Sequence, residues 1–215
     1  MRMMIRRVKN RFFSSNTYLL INDADNTCII VDPGLDEETI DKEIEANNLL
    51  PLAIVCTHGH FDHTGTVSYF KNKYNNIPYY IHEADLKISQ SVNFFLKLTK
   101  IEKWIDTATP DFLLKGKKEN LKIGSFDLDI YNFPGHTEGS CIIKWENNLF
   151  SGDIIYKKGL GLDSFPGENK AKLKKSIIEL FDFFSLKDMV FPGHGDAEYL
   201  GLIKENNSEL AAYLN

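Results

Sequence analysis

The stretch Thr57-His58-Gly59-His60-Phe61-Asp62-His63-Thr64-Gly65 places three of the chain's six histidines, with an aspartate, within six consecutive positions. Neutral imidazole and carboxylate groups are ligands for zinc, iron and manganese. In an extended segment, side chains two apart point the same way. His58, His60 and Asp62 can therefore share one side, and the turn into a following helix can bring His63 beside them. Four such groups on one loop exceed what a single tetrahedral site with an open position needs, which points to two metals. A chance polar loop or an expression tag is the plainer account. Against it, Gly59 and Gly65 interrupt the run and the apolar segment Leu52-Ala53-Ile54-Val55-Cys56 leads into it as a buried strand.

A two-metal site draws further ligands from other loops. The remaining histidines are His82, His136 and His194. His136 lies in Phe133-Pro134-Gly135-His136-Thr137 and His194 in Phe191-Pro192-Gly193-His194-Gly195, both Pro-Gly-His turns after β-like runs. Asp153 follows Leu149-Phe150-Ser151-Gly152, another strand end. A carboxylate has two oxygens and can bridge two cations. The candidate ligands are then His58, His60, Asp62, His63, His136, Asp153 and His194. His82 reads as a strand-end residue or a neighbour of a helix cap, and is left out.

On these residues the chain resembles the metallo-β-lactamase-fold superfamily and, within it, the short glyoxalase II-like hydrolases. The family motif T-H-x-H-x-D-H is met by Thr57, His58, His60, Asp62 and His63, the G-H-[ST] histidine by His136, the G-D aspartate by Asp153 and the P-G-H histidine by His194. The resemblance implies an α/β layered fold, the αββα sandwich, with two mixed sheets face to face and helices outside. It assigns His58, His60 and His136 to one metal and Asp62, His63 and His194 to the other, with Asp153 bridging. It implies two divalent metal ions, zinc first and iron or manganese as alternatives. Asp32, in Asp32-Pro33-Gly34, has two readings. It starts a turn, or, as in the family, it sits beside the metal loop and supports a ligand's other ring nitrogen.

The implied chemistry is metal-dependent hydrolysis of a thioester such as S-lactoylglutathione to a hydroxy acid and a thiol. Cations about 3.5–4 Å apart lower the pKa of a shared water, giving a bridging hydroxide. Asp62 and Asp153 are the catalytic carboxylates that fix its geometry and move the proton. No G-x-S-x-G serine is found. Position 60 is His where flavodiiron relatives carry Glu, and position 153 is Asp where the best-known zinc β-lactamases carry Cys, which argues against oxygen reduction and antibiotic hydrolysis. RNA-processing relatives need an inserted domain that this length does not allow.

Two features depart from the glyoxalase II pattern. The chain stops one helix past His194, without the C-terminal helical domain that helps to hold glutathione. Leu162 stands in Gly159–Gly167 where relatives place a basic residue. Tyr156, Lys157 or Lys158 would have to compensate, or else those lysines form a solvated loop. The alternatives are a persulfide dioxygenase with one iron on His58, His136 and Asp153, and a non-catalytic metal-binding protein.

The 215 residues, 43% hydrophobic and 26% charged, fit one globular domain spanning 1–215. A net charge of −5 argues against nucleic-acid binding. Cys28, Cys56 and Cys141 each sit in an apolar run without a C-x-x-C pair, as expected of buried thiols in a reducing compartment. No apolar run is long enough to span a membrane, and the basic start Met1–Arg7 lacks the apolar stretch of a leader. The expected location is cytoplasmic and the expected partner a small-molecule thioester. Nothing in the sequence fixes an oligomeric state.

These groups need strand ends to hold them. Alternation and turn signals predict strands over 3–9, 17–21, 27–31, 52–56, 78–81 and 189–191, and hairpins over 121–133 and 140–150. Helices are predicted over 36–47, 64–74, 85–104, 170–184 and 198–214. The apolar helix 85–104 is expected to pack on the sandwich, with a wall of the substrate pocket or a dimer contact as the alternative.

Overall fold

The computed structural model describes residues 3–162 and 167–214. Met1, Arg2 and the segment Asp163, Ser164, Phe165 and Pro166, on which part of the reading of the leader and of the Gly159–Gly167 loop fell, lie outside the described residues.

In the first sheet β1 (Met3–Lys9), β2 (Asn16–Asn22), β3 (Thr27–Val31), β4 (Leu50–Val55), β5 (Tyr79–His82) and β6 (Phe112–Leu114) lie side by side in chain order. β1, β2 and β3 pair antiparallel; β3 to β6 pair parallel. Parallel neighbours need crossovers, which are supplied by α1 (Glu37–Ala46), by α2 (Phe61–Thr64) with α3 (Val67–Lys73), and by α4 (Leu86–Ser89) with α5 (Val92–Leu98). The second sheet comprises β7 (Lys118–Ile123), β8 (Phe126–Asn132), β9 (Cys141–Trp145), β10 (Asn148–Gly152), β11 (Met189–Pro192) and β12 (Glu198–Tyr199), and only its β10–β11 pair is parallel. The helix α6 (Lys170–Phe183) makes that crossover; α7 (Leu200–Asn206) and α8 (Ser208–Leu214) follow.

Strand alternation distributes the apolar residues over three layers. Tyr18 and Leu20 of β2, Ile29 and Val31 of β3, and Ala53 and Val55 of β4 meet Phe126, Leu128, Ile130, Ile143, Trp145 and Phe150 between the sheets. The intervening residues Leu19, Ile21, Cys28, Ile30 and Ile54 face outward against Ile40 and Ile44 of α1 and Val67 and Phe70 of α3. On the far side Ile142, Leu149 and Val190 meet Leu173, Ile177 and Leu180 of α6, Leu200 and Ile203 of α7 and Leu210 of α8. The result is an αββα sandwich of two mixed sheets. Asp36 caps α1, accepting from the Thr39 N–H, and Glu37 and Glu38 add negative charge to its first turn. Among the described residues no helix is long and apolar enough to cross a membrane.

Phe150 packs edge-on to Tyr18 at 5.2 Å and stacks on Phe191 at 5.2 Å, fully buried between the sheets. Phe150→Ala leaves a cavity that neither sheet can close, and is expected to lower unfolding free energy by about 3–5 kcal/mol in a denaturant titration.

The predicted helix 85–104 is not one helix. Glu83–Asp85 forms a 3-10 turn, α4 ends at Ser89, and α5 ends at Leu98. Ser89 and Ser91 hydroxyls donate to the Leu86 and Lys87 carbonyls, and Thr99 donates to Phe95, so side chains compete with the helix at each break. Trp104 lies outside any helix and is exposed. The predicted 64–74 helix is found as α3, starting at Val67, with Thr64 in the separate turn α2, and the 198–214 helix is split into β12, α7 and α8. β6, a three-residue strand, escaped the pattern.

Candidate metal centre

β4 ends at Val55, and the chain turns through Thr57 to His60 into α2, a single turn that carries Asp62 and His63. The His60 carbonyl accepts from the N–H groups of His63 and Thr64, both at 3.0 Å, which closes that turn. β8 is followed by His136, β10 by Asp153 and β11 by His194. The strand ends are tied together by Cys141 N–H to Thr57 O and Gly193 N–H to Gly152 O, each 2.8 Å.

All seven nominated ligands meet at this edge. Their ligand atoms form the groups His58–His60–His136 and Asp62–His63–His194, each within 4.8 Å, and a third group joins Asp32, His58 and His63. Asp153 lies between the first two. Its Oδ2 is 3.4 Å from His194 Nε2, 3.7 Å from His136 Nε2 and 3.9 Å from His58 Nε2, and its Oδ1 is 3.5 Å from His63 Nε2. Asp62 Oδ2 is 3.3 Å from His194 Nε2 and 3.6 Å from His63 Nε2. His82 belongs to none of these groups; its Nδ1 accepts from the Ala84 N–H at 3.3 Å, as a cap does.

Asp32 orients rather than joins the cluster. Its Oδ1 accepts from the Thr57 N–H at 2.7 Å, and its Oδ2 from the Thr57 hydroxyl at 2.6 Å and from His63 Nδ1 at 3.1 Å. With its proton on Nδ1, His63 turns Nε2 toward the carboxylates. The Thr57 hydroxyl spends its proton on Asp32 and so accepts from His58 Nδ1 at 3.0 Å, which leaves His58 Nε2 as the lone-pair nitrogen. His136 Nδ1 donates to the Gly161 carbonyl at 3.0 Å, and its Nε2 lies 2.8 Å from His60 Nδ1.

The donor set fits divalent cations. His58 Nε2, His63 Nε2 and Asp153 Oδ1 are buried and have no hydrogen-bond partner. Unpaired buried polar atoms are costly and rare, and three aimed into one space mark a missing partner. Imidazole and carboxylate around that partner match zinc, iron or manganese.

Burial, reinforced by the neighbouring histidine charges, holds the His58 pKa well below its ordinary value and pushes His60 down to about 3, so both rings are neutral, as ligation requires. Burial also opposes charge on His63 and His194, but Asp153 and Asp62 outweigh it, raising His63 well above its ordinary value and His194 to about 10. Burial opposes ionisation of Asp62 and Asp153 too; His63 and His194 nevertheless hold both below the usual carboxylate range.

Several contributors were not read from the sequence. Asp85 is fully buried and accepts from Gly59 N–H at 2.8 Å, Gly139 N–H at 2.7 Å and the Thr137 hydroxyl at 2.6 Å. It thereby clamps the His58–His60 loop to the His136 loop. Burial raises its pKa against the pull of those donors. Ser15 and Asn16, on the turn into β2 and at its start, are buried at the site. The Ser15 hydroxyl donates to the Asp62 carbonyl at 2.7 Å, and Asn16 Nδ2 donates to the Pro192 and Gly195 carbonyls at 2.9 and 2.8 Å, bracing the His194 turn. Gly161 comes so close to Asp153 that a Cβ there would overlap the Asp153 carbonyl oxygen. Leu162 is half-buried against the apolar layer under α6 to α8 and brings no charge to the site.

The cluster opens into a cleft of about 410 Å³ lined by Phe13, His60, Phe61, Asp62, Asp153, Tyr156 and His194. A neighbouring cavity shares Tyr156 and His194 and adds Lys157, Lys158, Gly195 and Asp196.

A two-sheet sandwich with imidazoles and carboxylates gathered at its strand ends has the architecture of a metallo-hydrolase. Residues 10–194 match the Metallo-beta-lactamase superfamily, and the chain belongs to it. It is 36% identical to the probable metallo-hydrolase YqgX of Bacillus subtilis over 88% of this chain and 89% of that protein. It is 29% identical to the hydroxyacylglutathione hydrolase GloC of Haemophilus influenzae, covering 91% and 92% of the two chains. The crystal structure of the BLEG-1 B3 metallo-beta-lactamase superposes with a TM-score of 0.83 at 31% identity, covering 96% of this chain and 99% of that one.

Proposed function

We propose that this chain, acting as one domain over residues 1–215, is a two-metal thioester hydrolase that cleaves a hydroxyacyl thioester to a hydroxy acid and a thiol. The observation that carries this is the set of buried atoms without a hydrogen-bond partner, His58 Nε2, His63 Nε2 and Asp153 Oδ1, gathered beside an open cleft that Asp153 lines. Two divalent cations there, zinc first and iron or manganese as alternatives, would supply an activated water and an electrophile for the substrate carbonyl. His58, His60 and His136 would hold one, Asp62, His63 and His194 the other, and Asp153 both. Asp32 and the Gly161 carbonyl keep the His63 and His136 rings in the ligating tautomer. Asp62, the more exposed of the two carboxylates and a lining residue of the cleft, would take the proton of the attacking water and return it to the departing sulfur. The likeness to GloC supports the hydroxyacyl thioester as substrate. The three cysteines, all buried and unpaired, support a reducing, cytoplasmic setting.

A second reading has a specific support. Asp153 in place of Cys argued against antibiotic hydrolysis, but BLEG-1, a B3 metallo-beta-lactamase, is 31% identical over nearly the whole chain. A β-lactam is therefore the second acyl substrate to try.

The test is a metal count with initial rates on one purified sample. The expected result is about two metals per chain and hydrolysis of S-lactoylglutathione that chelation abolishes and zinc restores. One iron per chain with oxygen uptake on a persulfide would replace the hydrolase by a dioxygenase. β-Lactam turnover without thioester turnover would favour the second reading, and metal binding with no reaction of any kind would leave a non-catalytic metal protein.

A further inference from the structure

We infer that the cleft selects thioesters whose acyl group carries an apolar, aromatic-sized substituent, with Phe13 as a specificity-determining residue. This rests on the thioester reading above and concerns the wall of the cleft rather than its metal floor.

Three of the seven lining residues are aromatic: Phe13, Phe61 and Tyr156. Phe13 stands edge-on to Phe61 at 4.9 Å, and Phe61 stacks on Phe95 at 5.8 Å with the rings 9° from parallel. Across the cleft Tyr156 is edge-on to His194 at 6.0 Å. Among the described residues no lysine or arginine lines this space; Lys157 and Lys158 line the neighbouring cavity beyond Tyr156. Leu162, on the same loop, packs into the apolar layer instead. A carboxylate-bearing arm therefore meets no lysine or arginine there, whereas a ring meets an aromatic wall.

Phe13 is the informative member. It is 44% exposed and holds φ at +55° on the turn between β1 and β2. A bulky non-glycine residue in the left-handed region is strained, and an exposed phenyl does little for folding. A large apolar side chain kept in such a position at the mouth of a cleft fits a substrate contact.

The test compares S-mandeloylglutathione with S-lactoylglutathione, two hydroxyacyl thioesters of the same thiol that differ in a phenyl for a methyl. The metal-loaded protein is expected to favour the mandeloyl ester in kcat/KM by about tenfold or more, the scale on which apolar pockets discriminate. The gain should reside in KM. Phe13→Ala is expected to reduce the preference below about threefold through KM, with metal content retained, and Phe13→Tyr to keep it. Equal kcat/KM for the two esters, or a preference untouched by Phe13→Ala, would overturn the acyl pocket and leave the hydrolase standing. No turnover of either ester by two-metal protein would remove the thioester reading itself, and the inference with it.

Discussion

Asp153→Asn is expected to lower thioester turnover by on the order of a thousandfold and bound metal from about two to about one per chain, the scale expected when a preorganised group at the charge-bearing centre is lost. The argument is positional. Among the described residues Asp153 is the carboxylate that faces both ligand groups, within 3.4–3.9 Å of the Nε2 atoms of His194, His63, His136 and His58. Asn keeps the volume, so Gly193, whose added Cβ would overlap Asp153 Oδ1, is undisturbed and the turn before His194 stays in place. What changes is one oxygen for an amide nitrogen that has no lone pair to offer, together with the negative charge that would keep two cations close. Metal analysis by mass spectrometry and initial rates read both effects, and circular dichroism confirms the fold. Unchanged metal content together with unchanged turnover would refute the bridging role.

How much of this was legible in the sequence depends on the distance over which each interaction is encoded. The 57–63 loop is local, since a buried strand, six residues and one helical turn suffice to converge His58, His60, Asp62 and His63. His136, Asp153 and His194 were legible because each follows a β-like run at a Pro-Gly or Ser-Gly turn, and alternation predicts strands well. The layer structure followed from the same alternation. The α4–α5 region was misread for a physical reason: the apolar spacing of Leu86, Ile88, Val92, Phe95 and Leu96 is helical, but Ser89, Ser91 and Thr99 bond back to the preceding carbonyls and break the run. The supports of the site other than Asp32 were invisible because they are long-range. Asn16 reaches Pro192, 176 residues away, and Gly161 reaches His136 across 25. A Ser-Ser-Asn run reads as a turn by composition, and no local signal says that its polar atoms are buried against another sheet.

Asp85 is the sharpest such case. Asp85→Ala is expected to weaken the tighter-held metal about 10–100-fold in competition with a chelator, although Asp85 is in none of the ligand groups. Its two oxygens satisfy two backbone N–H groups, of Gly59 and Gly139, and the Thr137 hydroxyl, so one buried carboxylate sets the spacing between the loop of His58 and His60 and the loop of His136. Alanine leaves those N–H groups buried without an acceptor, at a cost of about 1–3 kcal/mol each, and frees the loops to drift apart. The loss should therefore fall on the His58–His60–His136 group more than on Asp62, His63 and His194, which are braced separately by Asp32, Ser15 and Asn16. Asp85→Asn separates positioning from bulk stability. It keeps one oxygen and nearly the whole shape but turns an NH₂ toward a donor, so metal affinity should drop with only a modest change in melting temperature. If both variants lose stability while the ratio of the two metal affinities stays at the wild-type value, Asp85 is a fold residue and the clamp between the two loops does not set the metal site.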